Sequence, residues 1–306
     1  MRVAAIDIGT NSILLTVAEL DGSEIRSLCE RSYITRLGEG LGATGKLSEQ
    51  PMRRSLEALR QLLDEAKRLG ADEIIAVGTE VLRKASNTRE FLDSAAALGA
   101  NVEVITGERE AQLSFLSVAK DPLFAHRAER LLMIDVGGGS TEISRGHTGT
   151  LETSRSYPIG AVRLTERFLR DDPPTPEQIA ALQQAVWQQV QQETPLQEGE
   201  YLVGVGGTFV NLASLHARFP DYEPSRVHGA VLSRQAVQSL AEELCQLPLA
   251  QRQLLPGIEP ERAPVLHAGA WIVLSVMQAL HAEQIAVSMR GLRWGLIYEY
   301  ADAHRD

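Results

Sequence analysis

Two stretches of this 306-residue chain follow one plan: an apolar run, an aspartate, a turn of glycine and hydroxyl residues, and a second apolar run. VAAIDIGTNSILLTVAE (Val3–Glu19) sets Asp7 before Gly9-Thr10-Asn11-Ser12. LLMIDVGGGSTEIS (Leu131–Ser144) sets Asp135 before Gly137-Gly138-Gly139-Ser140. Apolar runs joined by such turns predict buried β-hairpins. A carboxylate at the end of a core strand is costly unless a partner compensates its charge. Meeting the same costly arrangement twice predicts a duplicated domain, with a cleft between the copies.

The second hairpin has a definite register. With Gly137–Ser140 as the turn, Val136 pairs with Thr141 and Asp135 lies opposite Glu142. Opposed side chains sit about 5 Å apart, and like charges there repel. A shared cation with oxygen ligands, Mg²⁺ by chemistry, relieves this. The glycines let backbone N–H groups converge on an anion, and Ser140 and Thr141 add hydroxyls. The alternative is a tight hairpin with an accidental acidic pair at a solvated edge. In the first hairpin Leu14 faces Asp7, leaving one acidic anchor beside a donor-rich turn. A third glycine turn, LVGVGGTFVNLA, sets Gly204, Gly206, Gly207 and Thr208 between a strand and a helix. It reads either as a helix N-terminus open to phosphate or as a plain strand-to-helix connection.

Strand candidates at Val3–Ile8, Ile13–Leu20, Glu24–Tyr33, Glu73–Val77, Val102–Ile105, Leu131–Val136, Thr141–Ser144, Tyr201–Val205 and Gln284–Val287 alternate with helical patterns, which predicts α/β architecture. Leu56, Leu59, Leu63, Ala66 and Leu69 mark one helix face, with Ser48 as a cap for its start. Ile179, Leu182, Val186 and Val190 mark another within the glutamine-rich Glu177–Glu193. The most apolar helix, Ala268–Leu280, is too short to span a bilayer and reads as core. A net charge of −10 disfavours diffuse binding to nucleic acid or anionic membrane. Two cysteines, Cys29 and Cys245, form no metal or disulfide pattern, and the chain opens without a signal peptide, which predicts a cytoplasmic protein. GLGATGKLS (Gly40–Ser48) imitates a P-loop but has Leu47 where Ser or Thr is required. No H-E-x-x-H or G-x-S-x-G occurs, so metalloprotease and serine-hydrolase readings fall away.

Asp7-x-Gly9-Thr10-Asn11-Ser12, GTEVLR (Gly78–Arg83), ITGEREAQLSF (Ile105–Phe115), IDVGGGSTE (Ile134–Glu142), YPIGAVRLTE (Tyr157–Glu166) and GVGGTFVNLA (Gly204–Ala213) together resemble the exopolyphosphatase / guanosine pentaphosphate phosphohydrolase family. The resemblance runs nearly end to end. It implies two ribonuclease-H-like domains of the actin, sugar-kinase and heat-shock-chaperone ATPase superfamily, residues 1–124 and 125–290, with a last helix at about 291–306 packing back on the first. It implies a Mg²⁺- or Mn²⁺-dependent hydrolase that releases terminal phosphate from inorganic polyphosphate or guanosine pentaphosphate; a homodimer is compatible with it.

By this resemblance Glu110 is the general base. From the residues alone, Glu108 and Glu110 could equally serve a helix N-terminus through its dipole. Arg83 is implied as a phosphate contact, suited by a planar guanidinium, with Lys84, Arg89 and Arg109 as weaker candidates for a basic lip. Asp135 and Glu142, joined by Asp7, are implied as metal ligands, and Glu142 also as a catalytic group. Gly9, Thr10, Asn11, Ser12, Gly137, Gly138, Gly139, Ser140, Thr141, Gly206, Gly207 and Thr208 are implied as the phosphate cradle. The chain departs from the family pattern at Trp294, where glutamate is common, and at Pro264 and His267. Two rival readings stand: an ATP-dependent kinase of the same superfamily, with an aspartate as base, and a non-catalytic sensor of polyphosphate or alarmone. The short two-domain form favours the exopolyphosphatase reading.

Overall fold

In the computed structural model, which describes residues 1–22, 24–127, 129–147 and 149–304, both aspartate hairpins form. Strand β1 (Arg2–Ile8) pairs antiparallel with β2 (Ser12–Asp21), with Ile8 opposite Ile13 and Asp7 opposite Leu14. The chain divides into two units, Met1–Ser117 with Gly291 onward, and Val118–Arg290.

In the first unit β3 (Glu24–Ile34), β4 (Glu73–Gly78) and β5 (Val102–Val104) complete a sheet of order β3-β2-β1-β4-β5. The β1–β2 and β2–β3 pairs are antiparallel, while β1–β4 and β4–β5 are parallel. Parallel neighbours need long crossovers, which here are helical. Alternation along β1 sends Ala4, Ile6 and Ile8 to one face, where they join Leu59, Leu62, Leu63 and Ala66 of the helix Glu49–Arg68. Each fully buried Ile or Leu among them contributes about 1.5–3 kcal/mol, and each Ala methyl less. Ala5 goes to the other face and clusters with Ala18, Val77, Ile105, Leu113 and Leu292, Leu296 and Ile297 of the final helix, Leu292–Ala303. Period two puts Asp7 on this second face. Ser48 occupies the N-cap position of Glu49–Arg68, but its side chain makes no capping hydrogen bond.

The second unit builds β6 (Arg130–Val136), β7 (Thr141–His147), β8 (Thr150–Tyr157), β9 (Glu200–Val205), β10 (Val231–Ser233) and β11 (Gln284–Ser288) into a sheet of order β10-β11-β9-β6-β7-β8. Read from β8, this is the first sheet's order and sense again, with β10 added antiparallel at the far edge. Sequence reading missed β8 and β10. The eight residues TLETSRSY of β8 are mostly exposed, so no apolar alternation marks this edge strand, and β10 has only three residues. The glutamine-rich helix Pro176–Val190 starts at a capping box of Thr175 and Gln178 and buries Leu182, Val186 and Val190. The apolar pattern at Ala268–Leu280 lies in the helix Ala263–Ala279, buried along nearly its whole length. Among the described residues no helix is long and apolar enough to cross a membrane. Cys29 and Cys245 are buried and unpaired by disulfide.

Candidate active site

The first unit gathers its acids on the second face of the sheet. Asp7 is the penultimate residue of β1, and its Oδ1 is buried without a hydrogen-bond partner. Burial, reinforced by repulsion from Glu110, pushes its carboxyl up to about 7, against the pull of Arg293. The segment ITGERE places Glu110. Thr106 Oγ1 accepts the Arg109 N–H at 3.1 Å, and the Thr106 carbonyl accepts the Glu110 N–H at 2.9 Å, which starts the helix Gly107–Ala119.

Arg83 Nη1 donates to Glu110 Oε2 and to the Ile105 carbonyl, both at 2.8 Å. Two residues proposed for separate roles are therefore in direct contact. Burial raises the Glu110 carboxyl above the usual range, Arg83 opposes the rise, and nearby Glu80 adds to it. Lys84 pairs with Glu80, Arg89 with Asp93 at 2.9 Å and Arg109 with Glu299, so each member of the expected basic lip has an acid against it.

The turn after Asp7 closes through Gly9 N–H to the Ser12 carbonyl at 2.9 Å. Its carbonyls are taken from one side: Thr35 and Arg36 donate to the Asn11 carbonyl and Gly38 to that of Thr10. The Asn11 side-chain amide is buried, and neither its oxygen nor its nitrogen has a hydrogen-bond partner, which leaves its N–H donors uncommitted.

In the second unit Asp135 lies directly opposite Glu142, and Val136 opposite Thr141, as the four-residue turn requires. Glu142 is buried and accepts a hydrogen bond from Ser156 Oγ at 2.6 Å. The turn closes through Gly137 N–H to the Ser140 carbonyl at 2.9 Å. The helix Ala161–Phe168 then docks on it, with Ala161 donating to the Gly137 carbonyl and Val162 and Arg163 to that of Gly138. A Cβ at Gly160 would overlap the backbone of Gly138 and Gly139, so this approach admits only glycine. The Gly138 and Gly139 amides donate to no backbone acceptor among the described residues.

The third turn is a helix N-terminus, with Gly206 at φ 91° capping Gly207–Ala217. A Cβ at Gly206 would come to 3.0 Å from Asp135 Oδ1, which puts that carboxylate against the turn. Gly204 instead makes room for the Phe209 ring, a packing duty. The Thr208 hydroxyl donates to the Val136 carbonyl at 3.2 Å and that of Thr141 to the Ile159 carbonyl; with both hydroxyl protons committed, these residues offer an anion their backbone N–H groups. Arg262 was missed from sequence. Its guanidinium lies over Gly207, held by Glu259 through Nε at 2.7 Å. A cation at the positive end of a helix is unfavourable alone and favourable once an anion joins it.

Among the described residues no three or more His, Cys, Asp or Glu side chains form a metal-binding group. Mg²⁺ needs no such cage, being held by one or two carboxylates with waters and substrate oxygens. The unbonded Asp7 oxygen and the opposed Asp135–Glu142 pair are hard donors of the right kind.

A sequence model of the Ppx/GppA phosphatase family matches residues 16–304. The chain belongs to this family. Its reaction class is phosphoanhydride hydrolysis, which sets aside the kinase reading. Exopolyphosphatase 2 of Mycobacterium tuberculosis is 30% identical over 98% of this chain and 98% of its own. The Ppx/GppA family member of Aquifex aeolicus superposes with a TM-score of 0.82 at 32% identity, covering 100% of this chain and 99% of that one. An exopolyphosphatase of Cytophaga hutchinsonii superposes at 0.88 with 25% identity, covering 99% and 98%. Both sheets are those of the actin-like, ribonuclease-H-like fold that Ppx/GppA members share.

Proposed function

We propose that the protein removes terminal phosphate from inorganic polyphosphate, with guanosine pentaphosphate as a second substrate class, by in-line attack of a water activated by Glu110. The observation that carries the reading is the Arg83–Glu110 contact at 2.8 Å in a partly buried position. A general base must hold a carboxylate within reach of the attacking water, with a basicity raised toward neutral pH, and burial supports this for Glu110. Arg83 offers a planar fork suited to a phosphoryl group. An arriving phosphate competes with Glu110 for that fork, so substrate itself releases the carboxylate to take a proton from water.

Within the second unit, the Gly138 and Gly139 amides and the helix start at Gly207 are groups suited to stabilising charge on phosphoryl oxygens. Asp135, Glu142 and Asp7 would hold Mg²⁺ or Mn²⁺. Bound there, the ion neutralises charge on the transferred group. The curated relatives are called exopolyphosphatases, which favours polyphosphate over the guanosine substrate. The two unpaired cysteines suit a reducing cytoplasm.

The test is phosphate release from polyphosphate and guanosine pentaphosphate in parallel, with and without Mg²⁺, for wild type and Glu110→Gln. The expected result is a loss of at least about 10²-fold in kcat for the variant, with KM little changed. Equal rates remove Glu110 from the mechanism. Tight binding of polyphosphate without turnover by the wild type supports a sensor instead.

A further inference from the structure

The helix carrying Glu110 is held by a second helix from the far end of the chain. Arg109, next to Glu110, pairs with Glu299. One turn further, a Cβ at Gly295 would overlap the backbone C and O of Leu113. The pairs 109–299 and 113–295 are each four residues apart and run in opposite senses, so one face of each helix lies antiparallel on the other. Leu113 shares its hydrophobic cluster with Leu292, Leu296 and Ile297.

The final helix is in turn tied to the sheet. Arg293 donates to the Leu15 carbonyl at 2.7 Å, and Trp294 Nε1 donates to Glu30 Oε1 at 3.2 Å. Trp294 is 1% exposed. Leu15 follows Leu14, the residue opposite Asp7, so one helix touches both the strand beside Asp7 and the helix that bears Glu110. Glycine inside a helix costs about 1 kcal/mol relative to alanine. At Gly295 the cost has a visible return, since two helix backbones meet there.

We propose that Gly295 and Glu299 are positioning residues that set where Glu110 stands. The inference rests on the reading of Glu110 as the base. Gly295→Ala pushes the helix Gly107–Ala119 outward at Leu113, one turn from Glu110. Glu299→Gln releases its first turn at Arg109. A shift of about 1 Å in a reacting group can cost up to about 10²-fold in rate.

The experiment measures kcat and KM for polyphosphate in the full chain with Mg²⁺. It compares Gly295→Ala, Glu299→Gln, the charge swap Arg109→Glu/Glu299→Arg, and Glu110→Gln as the reference. The expected result is a kcat loss of roughly 10- to 100-fold for Gly295→Ala and about threefold for Glu299→Gln, the size of a partly exposed ion pair. KM stays within about twofold of wild type, and the swap recovers most of the Glu299→Gln loss. A merely structural role would lower the fraction of folded enzyme and leave kcat per folded molecule unchanged. Wild-type kcat in folded Gly295→Ala, or a swap no better than Glu299→Gln, overturns the proposal. Should Gly295→Ala fail to fold, Glu299→Gln and the swap decide alone. An inactive Glu110→Gln beside unimpaired helix variants leaves the base in place and removes the brace. An active Glu110→Gln removes the base itself.

Discussion

The two aspartate hairpins are alike in backbone and unlike in what surrounds the acid. Each turn closes by the same bond, Gly9 N–H to Ser12 carbonyl and Gly137 N–H to Ser140 carbonyl, both 2.9 Å. Each has its carbonyls taken from one side, by loop residues Thr35, Arg36 and Gly38 in the first unit and by a helix start in the second. The acids then diverge. Asp7 faces Leu14, keeps an unbonded oxygen and is raised to about 7 by burial. Asp135 faces Glu142, which Ser156 holds in place. One backbone device has thus been fitted out twice. The first copy presents a lone acid beside a base and its arginine; the second presents an acid pair beside amides and a helix end.

The sharpest way to break the comparison is to neutralise the acids one at a time. Asp7→Asn and Asp135→Asn should each lower phosphate release by about 10²-fold or more, the loss expected when a group that stabilises transferred charge is removed. They should differ in Mg²⁺ demand. Asp135→Asn leaves Glu142 behind as a weakened site, so the Mg²⁺ concentration for half-maximal rate rises. Asp7→Asn leaves the opposed Asp135–Glu142 pair intact, so its Mg²⁺ concentration for half-maximal rate should move less than that of Asp135→Asn, while its rate stays low at saturating Mg²⁺. Full activity in Asp7→Asn would confine the chemistry to the second hairpin.

Two glycines test the supports under the turns. Alanine at Gly160 meets the backbone of Gly138 and Gly139, which cannot swing away, whereas alanine at Gly38 meets the Thr10 methyl, which can. Gly160→Ala should cost about 3 kcal/mol and Gly38→Ala about 1 kcal/mol in urea unfolding. Comparable costs would mean that the first turn is held as rigidly as the second.

Much of this arrangement is legible in sequence because it depends on short-range rules. Period-two alternation and a four-residue turn suffice to set Asp135 against Glu142 and Asp7 against Leu14, and both pairings are present. The turn before Thr208 is a helix start for the same reason. What escapes is whatever depends on distant chain. β8 is a strand through pairing with β7, not through its own polar residues. Ser48 stands at the right position without making the expected bond. Arg83 and Glu110 were each singled out, but their contact joins residues 27 apart. Arg262 over Gly207 and Gly295 against Leu113 carry still weaker traces. A lone glycine inside GLRWGLIYE was the one available signal, since a helix seldom keeps such a residue without a packing reason.

The last effect, absent at neutral pH, separates the two cores. The second unit buries His267, 2% exposed, in the apolar helix Ala263–Ala279, with its Nδ1 unbonded. No other histidine among the described residues is buried. Burial, with Arg252 nearby, lowers its pKa from 6.5 to about 3. The unfolded chain therefore binds a proton below about pH 6.5 that the folded unit refuses until about pH 3. Stability supplied by the neutral ring is complete above pH 6.5 and drains away as pH falls toward 3, at up to about 1.4 kcal/mol per pH unit. His267→Gln should flatten that acid limb in urea unfolding followed between pH 7 and pH 4, while leaving the region above pH 7 parallel to wild type. An unchanged acid limb would mean that His267 takes up its proton within the folded unit, and that the acid sensitivity of the two cores does not differ at this residue.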